Sequence, residues 1–354
     1  MGNIRVVIAD DSRMARTMLR SFLEEEEGIA IVGEAANGRQ AVDLVRELKP
    51  DLVTMDLEMP VMNGLEAIEE IMFSKAVPIL VVSSVADAAK AAAAIGLGAL
   101  EVVAKPDYTP EQAADFVRRV RLLAGVSVIT RLRPRAAPAA MRPSEPAPAP
   151  VPAASSLAAG AGYGRLFAIA SSTGGPQALA QILPALPADF PCPVVIAQHI
   201  ADGFAGGMAA WLGSLCRLPI RLAVDGELLQ AGTIYLSPSE AHLQVTPTRR
   251  LALVERGPLD IYHPSCNTLL SSVAEVFGSQ AVGIILTGMG SDGAKGISRI
   301  REKGGVTLGQ DEASSVIYGM NQVAIASGDV QQVLAVDAIA EAMIRLAASG
   351  PRPA

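Results

Sequence analysis

Leu166-Phe-Ala-Ile-Ala-Ser-Ser-Thr-Gly-Gly-Pro176 is an apolar run that breaks abruptly into hydroxyls, two glycines and a proline. An apolar run of this length bounded by turn residues predicts a buried strand, and Pro176 suits the first turn of a following helix. Two later stretches repeat this form. Val194-Val-Ile-Ala-Gln-His199 ends on a histidine, and Val282-Gly-Ile-Ile-Leu-Thr-Gly-Met-Gly-Ser-Asp292 ends on an aspartate in a flexible, Gly-rich loop. Buried strands separated by helices predict a parallel α/β sheet, which presents reactive groups at the carboxyl ends of its strands. A serine, a histidine and an aspartate delivered to that rim are the equipment of acyl transfer.

Further strands are expected at Thr233–Ser237, Leu251–Glu255 and Gly305–Leu308, with Thr233–Glu255 reading as an antiparallel hairpin around Pro247-Thr. Upstream, Pro134 to Pro152 holds seven prolines in 19 residues, a composition that cannot bury a core and predicts an extended linker. Before that seam, strands at Arg5–Ala9, Ala30–Glu34, Leu52–Asp56, Pro78–Ser83 and Glu101–Ala104 alternate with helices at Met14–Glu25, Gly38–Leu48, Gly64–Met72, Asp87–Leu97 and Pro110–Leu123. The expected organisation is a five-stranded flavodoxin-like unit over 1–123, a Pro/Ala-rich linker over 124–162, and a second doubly wound, Rossmann-like unit with a mostly parallel sheet over 163–350.

The charge is unevenly placed. Residues 1–123 carry 13 Lys/Arg against 20 Asp/Glu, while the remainder carries 16 of each. Neither half offers the basic stripe of a nucleic-acid binder, and no helix-turn-helix pattern supports transcriptional regulation. Three cysteines without metal or redox spacing fit a reducing compartment. No apolar stretch reaches the roughly 18 residues of a membrane span, so a cytoplasmic protein without membrane insertion is expected.

In the first half, Asp10 and Asp11 follow the first strand, Asp56 the third, Ser83 ends the fourth and Lys105 follows the fifth. Crowded carboxylates repel unless a hard cation such as Mg²⁺ joins them, and Lys105 can pair with a phosphoryl oxygen. Together with Asp56-Leu-Glu-Met-Pro-Val-Met-Asn-Gly64 and Lys105-Pro106, these residues make 1–123 resemble the receiver domain of two-component response regulators. The resemblance implies Asp56 as phosphoacceptor, a histidine kinase as phosphodonor, Ser83 and Lys105 as switch residues, and Mg²⁺ held by Asp11, Asp56 and the Glu58 carbonyl with Asp10 behind.

In the second half, Ser-Ser-Thr-Gly-Gly alone serves equally as a helix cap or a phosphate-binding turn, and it lacks the Gly-x-Ser-x-Gly elbow of α/β-hydrolases. Among three histidines, His199 alone ends a strongly apolar strand. The order Ser, His, Asp also differs from the familiar hydrolase lineages. Ala170-Ser-Ser-Thr-Gly-Gly-Pro176, Gln198-His-Ile-Ala-Asp-Gly-Phe204, Leu286-Thr-Gly-Met-Gly-Ser-Asp-Gly-Ala294 and Gly309-Gln-Asp-Glu-Ala-Ser-Ser-Val-Ile-Tyr-Gly-Met320 resemble the CheB family of chemotaxis protein-glutamate methylesterases. This likeness spans receiver, linker and effector in order. It implies Ser172 as nucleophile, His199 as general base, Asp292 as the residue orienting it, and Thr173 and Met289 in the oxyanion region. It also implies chemoreceptor cytoplasmic domains as substrate, glutamine deamidation as a second activity, and a receiver that covers the catalytic rim until phosphorylated.

One segment departs from the family pattern. Where that pattern reads His-Arg-Pro-Ser-Val-Asp, this chain has Tyr262-His-Pro-Ser-Cys-Asn267, and Asn321 stands in place of a proline. These changes leave open an ester or amide substrate outside chemotaxis, and the two-part layout alone leaves open a non-catalytic phosphate sink. His263 is either a packing residue or one that titrates near neutrality.

Overall fold

The computed structural model describes residues 3–84, 88–107, 109–128, 163–257, 260 and 262–349. The proline-rich stretch expected as linker, and Asp87 at the expected start of a helix, lie outside these residues.

In the first half, β1 (Ile4–Ala9), β2 (Ile29–Ala35), β3 (Leu52–Met55), β4 (Ile79–Ser83) and β5 (Glu101–Ala104) alternate with α1 (Arg13–Glu24), α2 (Gly38–Leu48), α3 (Gly64–Ser74), α4 (Ala88–Leu97) and α5 (Pro110–Leu123). The sheet is parallel, in the order β2-β1-β3-β4-β5. Val6, Val7, Ile8, Leu52, Val53, Leu80 and Val81 have no exposed surface, as strands covered by helices on both faces require. Ser12, Asn37, Asn63 and Thr109 each accept a backbone N–H from the helix they precede, which ends the strand-to-helix loops sharply. Because β1 and β3 are neighbours, Asp10 and Asp56 emerge side by side.

The second half contains β6 (Leu166–Ser171), β7 (Val194–Gln198), β8 (Ile220–Leu222), β9 (Ile234–Leu236), β10 (Ala241–Val245), β11 (Leu251–Glu255), β12 (Ala281–Ile285), β13 (Val306–Gln310) and β14 (Gln332–Leu334). Its helices are α6 (Gly175–Ile182), α7 (Ala205–Leu215), α8 (Cys266–Phe277), α9 (Ala294–Glu302), α10 (Met320–Ala326) and α11 (Val336–Ala348). Seven strands form one parallel sheet in the order β14-β13-β12-β6-β7-β9-β8. The chain runs outward from β6 in one direction through β7 and returns to its other side at β12. That reversal is a topological switch point, and the crevice at the strand ends there is where such sheets bind ligands.

The expected hairpin is corrected in part. β10 and β11 pair antiparallel around Pro247-Thr248, but β9 pairs in parallel with β7 and β8 and belongs to the main sheet. A strand of three residues carries too little pattern to reveal its neighbour. The edge strands β8 and β14 are equally short and partly exposed, and the sequence reading did not separate them from loops.

Candidate active site and phosphoryl pocket

Ser171 and Ser172 do different things. Ser171 Oγ donates to Gln198 Oε1 at 2.6 Å inside the sheet. Ser172 N–H donates to Thr287 O at 3.1 Å, which draws the end of β6 toward the loop after β12. The two glycines that follow are required. Gly174 has φ +78°, and a Cβ there would lie 2.4 Å from Val316 Cβ; a Cβ on Gly175 would lie 2.1 Å from Gln198 Oε1. This tight turn launches α6 with Ser172 at its mouth. Among the described residues, Ser172 Oγ has no hydrogen-bond partner, and the N–H groups of Thr173 and Met289 have no acceptor.

His199 and Asp292 meet. His199 Nε2 and Asp292 Oδ2 are 2.8 Å apart, and the His199 N–H donates to Ser171 O across the sheet. The imidazole stacks on Tyr262, with centroids 5.2 Å apart and planes 13° from parallel. Asp292 is not on a flexible loop. Oδ2 accepts from Cys266 N–H at 2.7 Å, and Oδ1 accepts from Asn267 N–H at 2.9 Å and Gly293 N–H at 3.0 Å. The first two donors are the amino end of α8, where free N–H groups favour an anion. Burial works to raise the Asp292 carboxyl, but His199 and these backbone donors outweigh it and hold it below the ordinary carboxylate range.

Ser172, Thr173, His199, Tyr262, His263 and Met289 line one cavity of about 660 Å³. Ser172 and His199 share this cleft without a hydrogen bond between them. The cavity's other wall is the first half of the chain, from β5, α4 and α5. Thr173 Oγ1 donates to Glu101 Oε2 at 2.8 Å, and Gln177 Nε2 donates to Ala99 O at 2.6 Å. Arg119 pairs with the same Glu101 carboxylate. Beside this junction α4 lies directly on α7, where a Cβ on Gly207 would sit 2.3 Å from Ala88 O.

The acidic cluster of the first half is assembled as well. Lys105 Nζ lies 2.8 Å from both Asp10 Oδ2 and Asp56 Oδ2. Carboxylate oxygens of Asp10, Asp11 and Asp56 all lie within 4.8 Å of one another. Burial raises the Asp56 carboxyl, and the Asp10 charge adds to this against the pull of Lys105. Burial disfavours the Lys105 ammonium, yet its two carboxylate partners raise it overall. Ser83 is fully buried at the end of β4, and the Glu58 side chain is turned outward to pair with Lys90.

The CheB methylesterase family matches residues 167–343, and the response regulator receiver domain matches residues 6–115. A protein-glutamate methylesterase/protein-glutamine glutaminase of Paramagnetospirillum magneticum is 57% identical over 98% of this chain and 96% of its own length. The chain belongs to the CheB methylesterase family. A second protein of that name, from Anaeromyxobacter dehalogenans, is 41% identical over 97% of both chains. Among solved structures, the CheB methylesterase catalytic domain of Thermotoga maritima is 34% identical and covers 52% of this chain and 98% of its own, with a TM-score of 0.50. The chain is thus a hydrolase of the CheB type with a receiver joined to it, and no helix among the described residues is long and apolar enough to cross a membrane.

Within this CheB frame, the departures at 262–267 have local explanations. Asn267 Oδ1 accepts from Gly293 N–H at 3.0 Å and Gly296 N–H at 2.9 Å, capping α9, which has no cap of its own. The amide oxygen supplies an acceptor as a carboxylate would. Among the described residues His263 Nδ1 has no hydrogen-bond partner, with Asp202 Oδ1 3.9 Å away, and burial, aided by Arg256 and opposed by Asp202, lowers the imidazole below its ordinary value. Asn321 is fully buried and donates to Gln310 O and Ser315 Oγ, both at 2.8 Å. The sequence reading missed Glu101, Gln177 and Cys266. A glutamate opening an otherwise apolar strand was the one available signal for Glu101; the other two carry none.

Proposed function

We propose that this chain is a phosphorylation-activated serine hydrolase that removes methyl groups from glutamate methyl esters on chemoreceptor cytoplasmic helices, releasing methanol, and deamidates glutamines by the same acyl chemistry. The proposed units are a receiver over 1–123, a linker over 124–162 and a catalytic domain over 163–350, acting in the cytoplasm. The observation that carries the reading is the 2.8 Å His199–Asp292 pair, whose histidine lines one cleft with Ser172.

In this reading Asp292 holds His199 through Nε2, which leaves Nδ1 for the Ser172 hydroxyl. Approach of an ester closes that gap as His199 takes the Ser172 proton and Oγ attacks the carbonyl carbon. The free N–H groups of Thr173 and Met289 receive the oxyanion. Methanol leaves with the proton from His199, and a water molecule then enters. His199 deprotonates that water, the acyl-serine is cleaved, and the carboxylate departs. No cofactor takes part in these steps.

The receiver governs access to the cleft. A histidine kinase supplies the phosphoryl group to Asp56. Asp10, Asp11 and Asp56 offer the clustered oxygens a hard cation needs, and the single Lys105 ammonium, 2.8 Å from Asp10 Oδ2 and Asp56 Oδ2, offsets only part of their charge. Mg²⁺ held by Asp11, Asp56 and the Glu58 carbonyl, with Asp10 behind, would neutralise phosphoryl oxygens there. Ser83 and Lys105 take new partners on the phosphoryl group, and Lys105 leaves the carboxylates it now bridges. The phosphoryl group opens the cleft only by favouring the open arrangement over the closed one.

The test is methanol release from methylated receptor helices, with and without a small-molecule phosphodonor. Ser172→Ala should lower the rate by at least about a thousandfold. Equal rates in parent and variant would remove the serine from the chemistry.

A further inference from the structure

His199, Cys266 and Asp292 present a nitrogen, a sulfur and an oxygen that all lie within 4.8 Å of one another. The ester chemistry uses the histidine and the aspartate but has no role for the sulfur. Cys266 opens α8, is fully buried, and holds Sγ 3.5 Å from His199 Nε2. Around a tetrahedral Zn²⁺, with Zn–S about 2.3 Å and Zn–N about 2.0 Å, the sulfur and nitrogen ligands stand about 3.5 Å apart. The observed separation matches that edge. The Nε2–Oδ2 distance of 2.8 Å is shorter than the edge of about 3.3 Å that nitrogen and oxygen ligands make. The imidazole must therefore retreat by about half an ångström. The ring lines the cleft and is stacked on Tyr262, a contact that sliding within the ring plane preserves, whereas Asp292 is pinned by backbone donors.

We propose that His199, Cys266 and Asp292 form an inhibitory site for a borderline-soft divalent cation, Zn²⁺ above all. A water molecule from the cleft fills the fourth position. As the Zn–S bond forms, the Cys266 thiol gives its proton to bulk water. His199 keeps one ring proton but carries it on Nδ1 after exchange with solvent, and Asp292 replaces its hydrogen bond from the ring with a Zn–O bond. The imidazole then has no lone pair for the Ser172 proton, and hydrolysis stops until the cation is withdrawn. In the metal-free chain, burial and the neighbouring Asp292 charge keep the thiol protonated, so it sits beside the relay as a neutral group. The two metal sites sort cations by chemistry. Mg²⁺ prefers the all-oxygen receiver pocket, and the mixed N, S, O trio prefers Zn²⁺.

Inhibition rests on the proposed esterase reaction, but binding does not, and Co²⁺ separates the two. The full chain, with Mg²⁺ in excess, is titrated with Co²⁺ and followed in the near-ultraviolet, where only thiolate ligation gives a charge-transfer band. The band should saturate at about one equivalent and be displaced by Zn²⁺. It should vanish in Cys266→Val and in Cys266→Ser, the second variant guarding against a folding defect in the first. Zn²⁺ should lower methanol release by the parent about tenfold or more, reversibly with a chelator, and should have no such effect on either variant relative to its own metal-free rate. Absence of a thiolate band in the parent overturns the proposal, as does a band that persists without Cys266. A parent that shows the band but no ester hydrolysis would overturn the esterase reading and leave the metal site standing.

Discussion

Thr173 Oγ1 donates a 2.8 Å hydrogen bond to Glu101 Oε2, so the residue next to Ser172 is tied to the receiver. Glu101 begins β5 and Lys105 follows its end, held 2.8 Å from Asp10 and Asp56. One strand of four residues therefore spans from the Asp10–Asp56 carboxylate cluster to the mouth of the cleft that Ser172 lines. A change of partner at Lys105 is separated from the Thr173 contact by rigid, hydrogen-bonded backbone rather than by a loop.

Glu101→Ala removes the carboxylate that both Thr173 and Arg119 share. A hydrogen bond to a charged group contributes about 1.5–3 kcal/mol, so the closed arrangement should weaken by roughly tenfold or more. Basal methanol release without phosphodonor should rise accordingly, toward that of a chain lacking residues 1–150. Unchanged basal rates in both variants would sink the covering role of the receiver.

Asp56→Asn should hold hydrolysis at its basal level when a phosphodonor is added. It should also stabilise the receiver at neutral pH. The Asp56 carboxyl is raised by burial above its unfolded value, so its favourable contribution is present below the unfolded value and is lost as pH rises through the folded one. Removing the charge removes that loss. Thermal melting of the variant at pH 7 and pH 4 should show a gain at the higher pH that shrinks at the lower.

Asp292 behaves in the opposite sense. Its carboxyl is held below the ordinary range, so its contribution is present above the unfolded value near 3.9 and is lost as pH falls through the folded value. Asp292→Asn should therefore lose stability relative to the parent at neutral pH, with the difference closing in acid. Its hydrolysis should fall by about 10³–10⁴, since an amide holds the imidazole in the wrong tautomer. Denaturant titrations across pH, with rates measured in parallel, test both halves.

Asn267→Ala leaves the Gly296 N–H at the amino end of α9 without its acceptor and the Gly293 N–H with Asp292 Oδ1 alone. A lost cap costs about 0.5–2 kcal/mol, and the loop holding Asp292 should loosen with it. Lower stability with reduced kcat and little change in KM is expected. Asn267→Asp, which restores an acceptor there, should recover most of the stability.

The apolar runs of the two sheets, the helices between them and the residues at their ends were legible from residues 1–123 and 166–308, because covered parallel strands are buried on both faces and leave continuous aliphatic stretches. Short partners were not. β8 and β14 went unread and β9, read as a strand, was given the wrong neighbour; with three residues each, such strands owe their place to neighbours in the sheet rather than to their own pattern. The sequence by itself determined which side chains stand at the strand ends: Asp10, Asp56, Lys105, Ser172, His199 and Asp292. Only the tertiary structure decided what each one meets. The donors on Asp292 come from the start of α8, the acceptor for Thr173 comes from β5 of the other half, and Cys266 reaches His199 across 67 residues of chain. Hydrogen bonds and ligand distances are set by where separate elements pack, and no local pattern of apolar and polar residues encodes that.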